Sequence, residues 1–119
     1  MAFRFLNFQV YKDAKKLHRN VVHLTKEYPR EFYYLKDQLR RCTLSIVLQI
    51  AEGSAKRSDK EFNRYIEIGL GSANETAAGL DVSLEEKLIT KAQYDELTML
   101  CMEVTNQLGG LSKALLAKK

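Results

Sequence analysis

The feature that most constrains this chain is a run of apolar residues near its C-terminal end: Tyr94, Leu97, Cys101, Val104, Leu108, Leu111 and Leu115. The steps alternate between three and four. That 3.5-residue period is the seam of a helix that packs lengthwise against other helices, and a strand of period two cannot use it. A seam this long needs partners of similar length, so the rest of the chain must supply them.

Three further segments do. From about Asn7 to Glu27, the residues Phe8, Tyr11, Ala14, Leu17, Val21, Leu24 and Tyr28 fall on one helix face. Tyr28-Pro29 closes that helix, because the residue before proline avoids the α region, and proline then suits the first turn of the next helix. From about Arg30 to Glu52, the main stripe is Phe32, Leu35, Leu39, Cys42, Ile46 and Ile50, and Gly53 is expected to end the helix in the left-handed conformation. Ser58-Asp59-Lys60-Glu61 reads as a capping box that opens a third helix, whose face is Phe62, Ile66, Gly69, Ala73, Ala77, Leu80 and Leu84. After the turn Lys87-Leu88-Ile89, Thr90 to Gln93 is a second capping box, and the seam follows. Short connections make neighbours antiparallel. The expected fold is all-α: an antiparallel up-down-up-down four-helix bundle, with residues 1–119 as one domain.

Some residues exceed what such a bundle needs. The second segment carries another apolar set, Leu44, Val47, Leu48 and Ala51, so it is buried on more than one side. Either a second copy covers the surplus or the chain's own ends do. Small residues gather in the third helix around Gly69, Gly71, Ser72, Ala73, Thr76, Ala77, Ala78 and Gly79, and Gly109-Gly110 lies in the fourth. Each helical glycine costs about 0.5–1 kcal/mol relative to alanine, which implies close packing at those points. Arg40 or Arg41 is expected to pair with Glu67 or Glu75 across the second hairpin.

Charge is unevenly shared. Residues 1–57 carry a net +7 and residues 58–119 a net −3, within a total of +4. Opposite the apolar stripe of the first helix lie Lys12, Lys16, Arg19, His23 and Lys26, with Lys15 beside them; Lys56 and Arg57 add charge in the second connection. A cationic helix face is an electrostatic footprint suited to phosphates. It is also what a solvated bundle face looks like, and an anionic membrane surface is a third reading. Tyr33 and Tyr34 stand outside the core stripes and either stack on a partner or pad the bundle end.

The patterns of catalysis and cofactor binding do not occur: there is no Glu-x-x-His, G-x-S-x-G, P-loop or His-x-Glu. His18 and His23, five apart, share no helix-face spacing. Cys42 and Cys101 lack metal-site spacing and fall on apolar faces, as reduced buried thiols do. No apolar run reaches bilayer length and Met1 to Phe5 does not read as a signal peptide, so no catalytic site, cofactor, metal or membrane partner is expected, and the expected location is the cytoplasm.

The run Gln38-Leu39-Arg40-Arg41-Cys42-Thr43-Leu44-Ser45-Ile46, followed by Ile50-Ala51-Glu52-Gly53, resembles the signature of small bacterial four-helix-bundle proteins encoded in intervening sequences of 23S rRNA genes. Phe5 to Tyr11, Tyr28-Pro29, Ser58-x-x-Glu61-Phe62 and Gly71-Ser72-x-x-Glu75 extend the likeness along nearly the whole chain. Gln49 and Cys42 depart from it, where asparagine and alanine are usual. Related proteins are the accessory variability determinants of diversity-generating retroelements, which form basic homopentamers. The resemblance implies a homo-oligomer, a pentamer, that associates with RNA or DNA and in some cases with a protein such as a reverse transcriptase. It implies fold and assembly roles for Arg40, Arg41, Glu52, Gly53, Gly71, Ser72 and Glu75. The nucleic-acid contacts are assigned from charge, to Lys12, Lys15, Lys16, Arg19, Lys26, Lys56 and Arg57. The rival expectation is a protein-interaction adaptor that touches no nucleic acid.

Overall fold

In the computed structural model, which describes residues 3–117, the four apolar stripes become four α-helices: α1 (Gln9–Thr25), α2 (Tyr33–Ser54), α3 (Asp59–Glu85) and α4 (Lys91–Ala117). Short 3-10 turns, Arg4–Asn7 and Arg30–Phe32, precede α1 and α2. Each helix packs on its two neighbours, α1 on α2, α2 on α3, α3 on α4 and α4 back on α1, and among the described residues the backbones of diagonal helices stay apart. The result is an elongated bundle of 48 × 26 × 20 Å. Met1 and Ala2, part of the N-terminal stretch read from sequence, lie outside the described residues.

The stripes bury as their spacing predicts. Ala14, Leu17 and Val21 of α1, Leu39, Ile46 and Ile50 of α2, Ile66 and Leu80 of α3, and Val104 and Leu108 of α4 are sealed from solvent. Cys42 and Cys101 are buried free thiols. Burial pushes the Cys101 thiol up to about 11, with the charge of neighbouring Cys42 adding to the shift, so it stays protonated. Cys101 donates to the Ala73 carbonyl at 3.4 Å, and Cys42 shares a 3.1 Å hydrogen bond with Thr76.

The helix starts follow their caps. Ser58 Oγ accepts from the Glu61 amide at 3.1 Å. At α4 the box is reciprocal: Gln93 N donates to Thr90 Oγ1 at 3.1 Å and Thr90 N to Gln93 Oε1 at 2.9 Å. Pro29 does not sit in the first turn of α2. It precedes the 3-10 turn, and α2 begins at Tyr33.

Two further sequence expectations are corrected. Gly53 does not end α2 in a left-handed conformation; among the described residues no glycine has positive φ, and the helix runs on through Ser54. Its value lies in its size. A Cβ on Gly53 would come within 2.8 Å of Phe62 Cδ1 and 2.9 Å of Tyr65 Cβ, so the absent side chain lets α3 close on α2. Gly79 does the same for Leu39, whose Cδ2 would lie 2.6 Å away. Leu39 opposite Gly79, Cys42 against Thr76 and Gly53 against Phe62 set α2 and α3 antiparallel.

The expected arginine–carboxylate pair across α2 and α3 does not form. Gln38, Cys42 and Ser45 take the α3 side of α2: Gln38 donates to Glu75 at 3.3 Å, and Ser72 donates to Ser45 at 2.9 Å. Arg40, two residues beyond Gln38, is rotated by about 200° on the wheel and faces α1. There its Nε donates to Thr25 Oγ1 and its Nη2 to the Val22 carbonyl, each at 3.0 Å. Among the described residues the ion pairs are Glu52–Lys56, which joins α2 to the connection after it, and Lys91–Asp95 within α4, each four apart in sequence.

Candidate nucleic-acid interface

The core side of α1 dictates where its cations go. With Val10, Ala14, Leu17, Val21 and Thr25 turned inward, Lys12, Lys15, Lys16, Arg19, His23 and Lys26 all project on the opposite, exposed side. From Lys12 to Lys26 the row is about 21 Å long at 1.5 Å per residue. The ammonium of Lys15 lies 5.0 Å from the centre of the Tyr11 ring, which holds its stem along the helix. No ion pair neutralises any of these side chains among the described residues.

The other assigned cations differ. Lys56 is half-buried, 3.8 Å from Glu52 and 5.0 Å from the centre of the Tyr65 ring, so its charge is already engaged. Arg57 is exposed. Both follow α2, at the end of the bundle where the chain begins: there Arg4 donates to the Ser54 carbonyl from Nε at 3.2 Å and Nη2 at 2.8 Å.

Of the motif residues, Arg40 ties α2 to α1, Ser72 and Glu75 bond to α2, and Gly53 admits α3. Arg41 and Gly71 are exposed, and nothing lies within 4 Å of where a Gly71 Cβ would be. The same holds for Gly109 and Gly110, whereas a Gly69 Cβ would make ordinary contacts. Of the glycines expected to mark close packing, Gly79 does so within the chain and Gly71, Gly109 and Gly110 do not, while Gly53, expected only to end α2, does.

The charge asymmetry becomes spatial. Against the single carboxylate of α1, Asp13, stand the six acidic residues of α3, and α1 and α3 occupy opposite corners. The remaining outward faces are more apolar. Leu44 and Leu48 of α2, Ile68 of α3, and Met99 and Met102 of α4 are exposed, as are Tyr33 and Tyr34.

Between α1 and α4 runs a groove of about 340 Å³ that the sequence did not announce. Asn20, His23, Leu24 and Glu27 form one wall, and Gln93, Glu96 and Leu97 the other. A smaller depression of about 190 Å³ continues it past Asn20 and Glu96 to Lys16 and Glu103. These polar residues lie at the edges of two amphipathic stripes, so only knowing that α4 neighbours α1 brings them together. A third hollow, about 190 Å³, lies between α3 and α4 at Ala77 and Met102.

His18 reaches across from α1 to α2. Its Nδ1 lies 2.8 Å from Thr43 Oγ1, whose own hydroxyl donates to the Leu39 carbonyl at 3.0 Å. With the Thr43 hydroxyl directed at the Leu39 and Arg40 carbonyls, the tautomer that completes this network is the one protonated on Nδ1. Burial, then the nearby Arg40 guanidinium, holds its pKa below the usual 6.5.

Among the described residues, no group of three or more His, Cys, Asp or Glu side chains is placed to hold a metal ion, and no helix is long and apolar enough to cross a membrane. A crystal structure of a protein of unknown function from the S23 ribosomal protein family of Bacteroides thetaiotaomicron is similar to this fold. The TM-score is 0.80 at 24% identity, with 87% of this chain and 98% of that chain covered. Neither that structure nor the family description below names an enzymatic activity. No curated protein matches closely enough to carry an argument. The model of the 23S rRNA-intervening sequence proteins matches residues 6–110, nearly the whole bundle, and the chain belongs to that family.

Proposed function

We propose that this chain is a non-enzymatic binding protein that assembles as a homo-oligomer, a pentamer, and holds RNA or DNA by its backbone phosphates along α1. The observation that carries this reading is the exposed row from Lys12 to Lys26, which faces away from the core and has no carboxylate partner among the described residues. A row of point charges without base-reading geometry favours phosphate contacts of little sequence preference. Exposed Arg57 extends the same field at one end of the bundle, with Lys56 beside it held by Glu52. The family description, which ties these proteins to rRNA genes, supports RNA as the first polymer to test. Self-assembly is supported by Leu44, Leu48 and Ile68, large apolar side chains left exposed on α2 and α3, and by the uncovered helical glycine Gly71.

Titration against labelled structured RNA and duplex DNA at several salt concentrations tests the binding, with a Lys12/Lys16/Arg19→Ala variant alongside. Each neutralised phosphate contributes a log–log salt slope of about −0.9 on duplex DNA, so the variant binds more weakly and with a shallower slope. Sedimentation of the same samples reads the oligomer. The second reading, a protein adaptor, draws on Tyr34, 65% exposed, and Leu48, 53% exposed. Absence of nucleic-acid binding at low salt leaves that reading standing.

A further inference from the structure

The α1–α4 groove opens beside the cationic row and shares His23 with it, while its continuation shares Lys16. Its lining differs in kind from the row. Leu24 and Leu97 form an apolar floor, and Asn20, Glu27 and Glu96 stand above it with no hydrogen bond or ion pair among the described residues. Gln93 spends its Oε1 on the Thr90 amide and keeps its Nε2 free. At about 340 Å³ the groove exceeds the volume of one flat heterocycle and is too small for a folded partner.

From this juxtaposition we propose that the groove takes one unpaired nucleobase, guanine by preference, from a single strand whose flanking phosphates lie along α1. This inference rests on the reading of α1 as a phosphate-binding face. The charges sort the two parts of a nucleotide. Carboxylates at Glu27 and Glu96 repel phosphate from the groove, while the lysines of α1 attract it to the outer face. An uncharged base has no such penalty. It gains an apolar floor, the imidazole of His23 at the rim for stacking, and acceptors for its edge donors. Guanine presents two adjacent N–H donors, N1–H and the N2 amino group, and one carboxylate accepts both. A duplex, with its bases stacked inside, brings only phosphates.

Fluorescence anisotropy with three end-labelled decamers of equal phosphate number tests the idea: uridine with one central guanine, uridine alone, and an abasic backbone. The guanine strand is expected to bind wild-type protein about tenfold more tightly than the abasic strand, with uridine between. Glu96→Gln brings guanine to within about twofold of uridine, and Asn20→Phe, whose ring occupies the groove, removes the advantage over the abasic strand. The salt slope is unchanged in both variants, because the phosphate row is intact, and circular dichroism with thermal melting reports the fold. Glu96 is exposed, so its variant remains a test even if the Asn20 variant unfolds. Equal binding of the guanine and abasic strands by wild type overturns the base pocket and leaves the α1 row standing. No binding of any strand at low salt overturns both.

Discussion

The phenol of Tyr28 donates to Ser83 Oγ at 2.7 Å, across 55 residues of sequence, and the Ser83 hydroxyl in turn donates to the Gly79 carbonyl at 2.9 Å. Both side chains are buried, so the turn after α1 is bonded directly to α3, the helix diagonal to α1 in the bundle. Burial raises the Tyr28 pKa against the opposing effect of that hydrogen bond, and the phenol stays neutral. Tyr28→Phe removes the donor but leaves Ser83 its bond to Gly79. The expected cost is about 1 kcal/mol in chemical denaturation. A double-mutant cycle with Ser83→Ala isolates the coupling between the two.

The helical glycines divide into two classes that respond oppositely to alanine. Gly53→Ala drives a methyl into Phe62 and into Tyr65 Cβ, an atom fixed close to the α3 backbone, and is expected to destabilise by about 1–3 kcal/mol. Gly109→Ala meets open space and gains helix propensity, about 0.5–1 kcal/mol of stabilisation. Urea midpoints of the two variants, measured together, check the contrast.

Arg40 is the polar tie between α2 and α1. Arg40→Ala leaves Thr25 Oγ1 and the Val22 carbonyl without that donor, and a loss of about 1.5–3 kcal/mol is expected for hydrogen bonds from a charged group. Arg40→Lys is expected to recover only part of it, because an ammonium cannot present the two-pronged geometry. Thermal melting of the three proteins ranks them.

His18 makes the α1–α2 seam sensitive to acid. Its folded pKa lies below the unfolded value of 6.5, so the unfolded chain takes up a proton first. That contribution to stability is present above pH 6.5 and is lost as pH falls through 6.5 and the lower folded value. The melting temperature is expected to drop between pH 7.5 and 5.5, and His18→Asn, which no longer titrates, is expected to drop less. Equal drops in the two proteins would show that other groups govern the acid response.

Much of this bundle was legible because helix periodicity and capping are local. The α4 seam, the Thr90–Gln93 box and the cationic side of α1 each depend on residues within a few turns, and each stands where its spacing put it. What failed depended on rotation between helices. Arg40 and Arg41 match the α3 carboxylates in height along the hairpin, whereas the angle of Arg40 on the wheel turns it to Thr25. Gly53 carries the residue type of a helix end, yet its use is a contact with Phe62 that only the α2–α3 register reveals. The Asn20–Glu96 groove left no trace, since its two walls are 76 residues apart and neither is unusual alone.

The four seams of the bundle are not equally closed. Glycine lets α2 and α3 close along the most extensive seam, while α1 and α4 meet least and leave the groove between them. The molecule is thus built like a book, with its spine at α2–α3 and its fore-edge at α1–α4. Amide protons along α1 and α4 should exchange with deuterium before those of the spine. An occupant bridging the fore-edge would slow that exchange and, by holding the covers together, stiffen the whole volume.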